Sequence, residues 1–207
     1  MEELRRVVSE GEAAARRIIA FELRKMLGRF YILWGSFPMA ASAPLVAAFD
    51  VGWLKSALEA YVFSVPLYVI YLVAVLGVYF GLTFRLFGTF YRVATSRLGV
   101  RRGWRRGVIP VAYFLGVVAM WFLSGGRFAV IFAAVYAAGV VFFTYGAVYS
   151  GFARPRYYDH LALVGFLLLY PASFMWSYAI QLAIGLMWIY AGVKSLEEGY
   201  GGGQASA

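Results

Sequence analysis

The chain has 207 residues, of which 63% are hydrophobic, 19% aromatic and only 14% charged. Soluble domains carry about a quarter charged residues, so this composition excludes an ordinary water-facing domain and points to a polytopic membrane protein. The net charge of +9 would suggest a polyanion partner on a soluble chain; on a membrane chain it raises the question of which side the charges face.

Cysteine and asparagine are both absent, which rules out disulfides, thiolate metal sites and N-linked glycan acceptors. Arginine outnumbers lysine sixteen to three. Loss of Asn and Cys is one response to high temperature, so the composition fits a thermophilic prokaryote.

Residues 1–29 are polar and charged and read as a cytoplasmic amphipathic helical arm. Ser9 and Glu12 form an S-x-x-E capping box that predicts a helix start. Leu4, Val7, Val8, Ala15, Ile18, Ile19 and Met26 recur at helical spacing. The charged lead is too long for a signal peptide.

A hydrocarbon core about 30 Å thick needs roughly 20 apolar residues as helix. Six segments fit: 30–49, 61–81, 108–123, 128–152, 161–176 and 177–193. The last two adjoin, which places a tight turn near Trp176 and Ser177. Residues 194–207 read as a short flexible cytoplasmic tail. The fold expected is therefore all-α: a polytopic membrane bundle of six transmembrane helices preceded by the amphipathic arm.

The basic residues fix an orientation. The run "RLGVRRGWRRG" at 97–107 holds Arg97, Arg101, Arg102, Arg105 and Arg106. With six spans, alternate connections carry seventeen Lys and Arg on one side and two on the other. Excess positive charge marks the cytoplasmic side, so both termini are expected there, in the cell membrane. The arginine run is first a determinant of topology, and also a candidate contact for anionic lipid headgroups. Trp104 alone makes no stacking platform, so nucleic acid is not expected as a partner.

None of the six segments holds a Lys, Arg, Asp, Glu or His in its interior. Such charges usually mark proton relays and ion pathways. His160 beside Asp159 lacks the third ligand of a catalytic zinc and reads as a solvated residue at a helix start. No P-loop, G-x-S-x-G or H-E-x-x-H occurs. No catalytic residue, metal or cofactor is expected, and the chain is not expected to be an enzyme.

Small residues recur at four-residue spacing in Gly77 and Gly81, in Ala112 and Gly116, and in Ala129, Ala133 and Ala137. These suit close helix packing, within the chain or against a protein partner or second copy. Prolines and polar groups gather in the outer halves of the spans: Ser42, Pro44, Ser64, Pro66, Tyr170, Pro171, Ser173 and Gln181. Each proline frees a carbonyl, and a freed carbonyl at membrane depth needs protein or water. These residues are a candidate outer polar pocket; alternatively, the hydroxyls bond the freed carbonyls locally.

The stretch "FELRKMLGRFYIL" at 21–33 resembles the approach to the first span of ATP-binding-cassette export permeases, whose six-span layout is similar. Two functional classes follow. One is a non-enzymatic membrane scaffold or complex subunit. The other, which the resemblance implies, is a permease subunit moving an uncharged or weakly polar solute through the outer pocket.

Overall fold

The structure is a computed structural model that describes residues 2–62, 65–98, 105–125, 128–148, 154–173 and 178–204. Seven helices occur among them: α1 (Glu2–Asp50), α2 (Gly52–Glu59), α3 (Leu67–Leu98), α4 (Arg105–Leu123), α5 (Ala129–Val148), α6 (Tyr157–Ser173) and α7 (Tyr178–Gln204). Four of them, α1, α3, α5 and α7, are long and apolar enough to cross a membrane; α4 carries the shorter apolar stretch Val108–Trp121.

α1 fuses the polar arm and the first apolar segment into one helix of 49 residues. At 1.5 Å per residue it is about 74 Å long, more than twice the thickness of a hydrocarbon core. Ser9 is therefore not a helix cap: it lies inside α1, and its hydroxyl donates to the carbonyl of Arg6 at 2.8 Å. Arg6 pairs instead with Glu10, four residues on, at 2.9 Å.

The second apolar segment starts later than its hydropathy suggests. Tyr61–Val62 and Val65–Pro66 form two short antiparallel strands, β1 and β2, with Tyr61 opposite Pro66 and Val62 opposite Val65. Proline has no N–H to give a helix interior, and α3 begins directly after it. At the other end of the chain, α7 continues as helix to Gln204, through most of the stretch read as a flexible tail. The turn expected at Trp176 and Ser177 lies outside the described residues.

The core is built on the antiparallel pair α1 and α7. Ile19, Leu23, Met26, Leu27, Phe30 and Tyr31 of α1 are buried against Ile184, Trp188 and Ala191 of α7 and Tyr158, Ala162, Leu163 and Phe166 of α6. Trp188 is central. Its ring lies 5.5 Å from that of Tyr31, nearly perpendicular, and 5.3 Å from that of Phe166. Its indole N–H donates to the carbonyl of Ala162 at 3.0 Å.

Glycines let α1 and α7 touch along their backbones. A Cβ on Gly28 would meet the carbonyl oxygen of Gly192 at 2.8 Å, and one on Gly35 that of Gly185 at 2.7 Å. A Cβ on Gly199 would meet Lys25 at 2.8 Å. Gly28 and Gly35 on one helix, and Gly185, Gly192 and Gly199 on the other, are spaced by seven, the interval that keeps one face turned toward a partner helix. Gly77, Gly81 and Gly116, whose spacing suggested close packing, face open space.

Candidate functional site

The densest set of charged side chains in the described residues lies where α1, α6 and α7 meet, next to the apolar core. Arg24 reaches it from α1, seven residues before Tyr31. Asp159 sits in the first turn of α6, where a carboxylate complements the helix dipole. Glu198 comes from α7, past its apolar part. Arg24 and Asp159 are 3% and 0% exposed, so neither charge has water to stabilise it.

Their arrangement compensates for that burial. Arg24 Nη1 donates to Asp159 Oδ2 at 2.7 Å, and its Nη2 donates to the carbonyl of Arg154. The backbone N–H of Arg156 also donates to Asp159 Oδ2, at 2.8 Å. This is the reach-back half of a capping box, with an acid at the third helical position satisfying the N–H before the helix. Arg24 stands over the ring of Tyr158, 5.5 Å from its centroid. The hydroxyl of buried Ser195 on α7 donates to the carbonyl of Arg24 at 2.9 Å. Asp159 Oδ1 is buried without a hydrogen-bond partner among the described residues.

Glu198 closes the cluster. It accepts from Arg156 Nη2 at 2.8 Å and from the hydroxyl of Tyr158 at 2.5 Å, and lies 3.8 Å from Arg24 Nε. Burial alone would raise its pKa, but the hydrogen bonds from Arg156 and Tyr158, with the charge of Arg24, hold it below the usual glutamate range. Tyr158 is pushed up, first by burial and then by its bond to the Glu198 carboxylate. Arg156 is raised by its hydrogen bond to Glu198. Two cations, two carboxylates and a phenol thus tie α1, α6 and α7 together. Neighbouring His160, which reads in the sequence as a solvated residue at a helix start, is exposed, with Nδ1 2.5 Å from the Tyr145 hydroxyl.

The sequence signal for this cluster is weak. Arg24 and Asp159 are 135 residues apart, and both belong to charged stretches that hydropathy assigns to water. The one local hint is the acid three residues after Arg156, with an apolar run following.

The residues of the candidate outer pocket take several separate roles. The hydroxyl of Ser42 donates to the carbonyl of Pro38 at 2.8 Å, and that of buried Ser173 to the carbonyl of Tyr170 at 2.7 Å. Pro44 lies inside α1 and leaves the carbonyl of Ala40 without its helical donor. The Tyr71 hydroxyl of α3 donates to that carbonyl at 2.6 Å. Tyr170 packs on Phe166, ring centroids 4.7 Å apart, and Pro171 lies inside α6. Pro66 belongs to β2, and Ser64 lies outside the described residues. Gln181 is half-buried near the start of α7. The pairing of Gly35 with Gly185 brings Gln181 level with Met39.

Of the arginine run, Arg97 falls in the last turn of α3, and Arg105 and Arg106 in the first turn of α4. Arg101 and Arg102 lie outside the described residues. No group of three metal-ligating side chains occurs among the described residues.

The fold and this cluster define an all-helical protein with four helices of membrane-crossing length, compatible with a membrane protein. The chain matches no protein-family model, no curated protein and no solved structure.

Proposed function

We propose that this chain is a non-enzymatic scaffold or subunit of a membrane complex, held in the cell membrane by six spans with both termini in the cytoplasm. In this topology α4 and α6 cross together with α1, α3, α5 and α7. The asymmetry of seventeen basic residues against two supports the orientation, in which the arginine run meets anionic headgroups of the cytoplasmic leaflet. Cysteine introduced at Ser56 or Ser124 reacts with an impermeant maleimide on intact cells, and cysteine at Ser96 does not. The opposite pattern overturns the topology.

The observation that carries the scaffold reading is the first part of α1. Apart from half-buried Ala15, the described side chains from Arg5 to Ile18 are exposed, Val7 at 64% and Ile18 at 43%. Isolated helices of this length are marginal in water. This one is held from its far end by α7 and offers an unpartnered surface about 20 Å long. The charged side chains nearest the core tie helices to one another, which suits a rigid mount.

A photo-crosslinking residue at Val7 or Ile18 in native membranes tests the reading. It is expected to give one defined protein adduct that a crosslinker at Trp53 does not give. No adduct from either position overturns the scaffold reading. The alternative, a permease subunit with an outward-facing pocket, needs polar groups free to meet a solute. The bonding of Ser42 and Ser173 to backbone carbonyls weighs against it.

A further inference from the structure

We infer that the groove between α4 and α5 is a seat for one acyl chain of an anionic phospholipid whose headgroup lies at the start of α4. The groove is a shallow, open one with a volume of about 400 Å³, lined by Ala112, Gly116 and Met120 of α4 and Ile131, Phe132 and Val135 of α5. It exists because small residues stand where α4 faces α5: a Cβ at Gly116 would meet nothing within 4 Å. Tyr113, at its edge, has its hydroxyl committed to the carbonyl of Val135 at 2.6 Å. The lining therefore presents almost no polar atom to a ligand, which excludes a polar solute and suits a hydrocarbon chain.

The place of the groove along α4 decides which molecule brings that chain. α4 begins with Arg105 and Arg106. At 1.5 Å per residue, Ala112 lies about 9 Å beyond Arg106 and Met120 about 21 Å beyond it. A lipid phosphate near the start of α4 would send its chain along this interval, which reaches to about the middle of a core about 30 Å thick. Two arginines in the first turn of α4 and an apolar trough further along the same helix together favour an anionic phospholipid over a neutral one.

The inference rests on the membrane reading above, and the test separates the two. The full chain, carrying a fluorescent label on Leu115→Cys, one residue before Gly116 on α4, is reconstituted in equimolar phosphatidylglycerol and phosphatidylcholine. Bromine is placed on the acyl chains of one lipid or the other. A second label on Val78→Cys of α3 serves as control; Leu115 and Val78 are both exposed.

At Leu115 brominated phosphatidylglycerol is expected to quench roughly threefold more than brominated phosphatidylcholine, and at Val78 the two equally. Gly116→Leu, which adds a side chain to the groove at a position with room for its Cβ, and the pair Arg105→Gln and Arg106→Gln should each bring Leu115 to the control value. Equal quenching at Leu115 in the parent overturns the seat and leaves the membrane reading standing, and selectivity that survives Gly116→Leu overturns the seat as well. No quenching at either label overturns the membrane reading itself.

Discussion

Gly35 of α1 and Gly185 of α7 lie backbone against backbone. A Cβ on Gly35 would stand 2.7 Å from the carbonyl oxygen of Gly185, and one on Gly185 would stand 2.6 Å from that of Gly35. Real Cβ atoms do not approach so closely, and the obstacle is main chain rather than the tip of a flexible side chain. Gly35→Ala or Gly185→Ala must therefore push the two helices apart. Each is expected to lower stability by about 1–3 kcal/mol, the usual consequence of overpacking. Gly77→Ala and Gly116→Ala, at positions with open space, should be neutral or slightly stabilising, since Ala is the better helix former by about 1 kcal/mol. Thermal unfolding of the purified protein in detergent checks the contrast. Equal effects at all four positions would refute the seam.

The Arg24–Asp159 pair holds α1 to the first turn of α6. Removing one member leaves the other charge buried and uncompensated, so Arg24→Leu or Asp159→Leu is expected to cost about 3–5 kcal/mol. Removing both is a different operation, because no charge remains inside. The double variant should be more stable than either single one, and a double-mutant cycle measures the recovery. Additive losses would mean that the two side chains act independently.

Glu198 gives the cluster a pH dependence with a definite sign. Its pKa is lower in the folded protein than its ordinary value, so the folded state favours the carboxylate. The stability this contributes is full above the ordinary glutamate value of about 4.3. It is lost as pH falls through the lowered folded value. The difference in thermal midpoint between the parent and Glu198→Gln should hold constant from neutral pH down to about 5 and shrink below about 4. Because Glu198 and Arg156 are both partly exposed, salt should reduce the difference at neutral pH. A difference that widens on acidification would contradict the assignment.

These relationships were unequally legible in the sequence. Apolar stretches of spanning length became helices because a hydrocarbon-like run has no other way to satisfy its backbone, and α3, α4, α5, α6 and α7 overlap the segments read from hydropathy. The start of α3 was misread because hydropathy does not register the missing N–H of Pro66. The seam was missed because neither helix announces it alone: Gly28 and Gly35 become meaningful only against Gly185 and Gly192, more than a hundred residues away. Gly77 and Gly81, by contrast, have a conspicuous four-residue spacing and open faces. The pairing of Arg24 with Asp159 is hidden for a related reason. Single-chain patterns assign charge to water, and only tertiary contact can supply a buried counter-charge.

The proline in α1 offers the sharpest test of how the interior is satisfied. Pro44 has no N–H, so the carbonyl of Ala40, four residues earlier, has lost its helical donor. The hydroxyl of Tyr71 on α3 donates to it at 2.6 Å. Tyr71→Phe removes that donor with little change of shape and leaves a carbonyl unpaired, which is expected to cost about 1–3 kcal/mol. Pro44→Ala returns a backbone N–H to the same carbonyl. If the tyrosine is there to replace the bond that proline removes, Tyr71→Phe should cost clearly less in the Pro44→Ala background than in the parent. Thermal unfolding of the four proteins of this cycle gives the coupling. A Tyr71→Phe loss of equal size in both backgrounds would show that the hydroxyl answers to something other than the carbonyl Pro44 frees, and the interhelical bond would then explain neither residue.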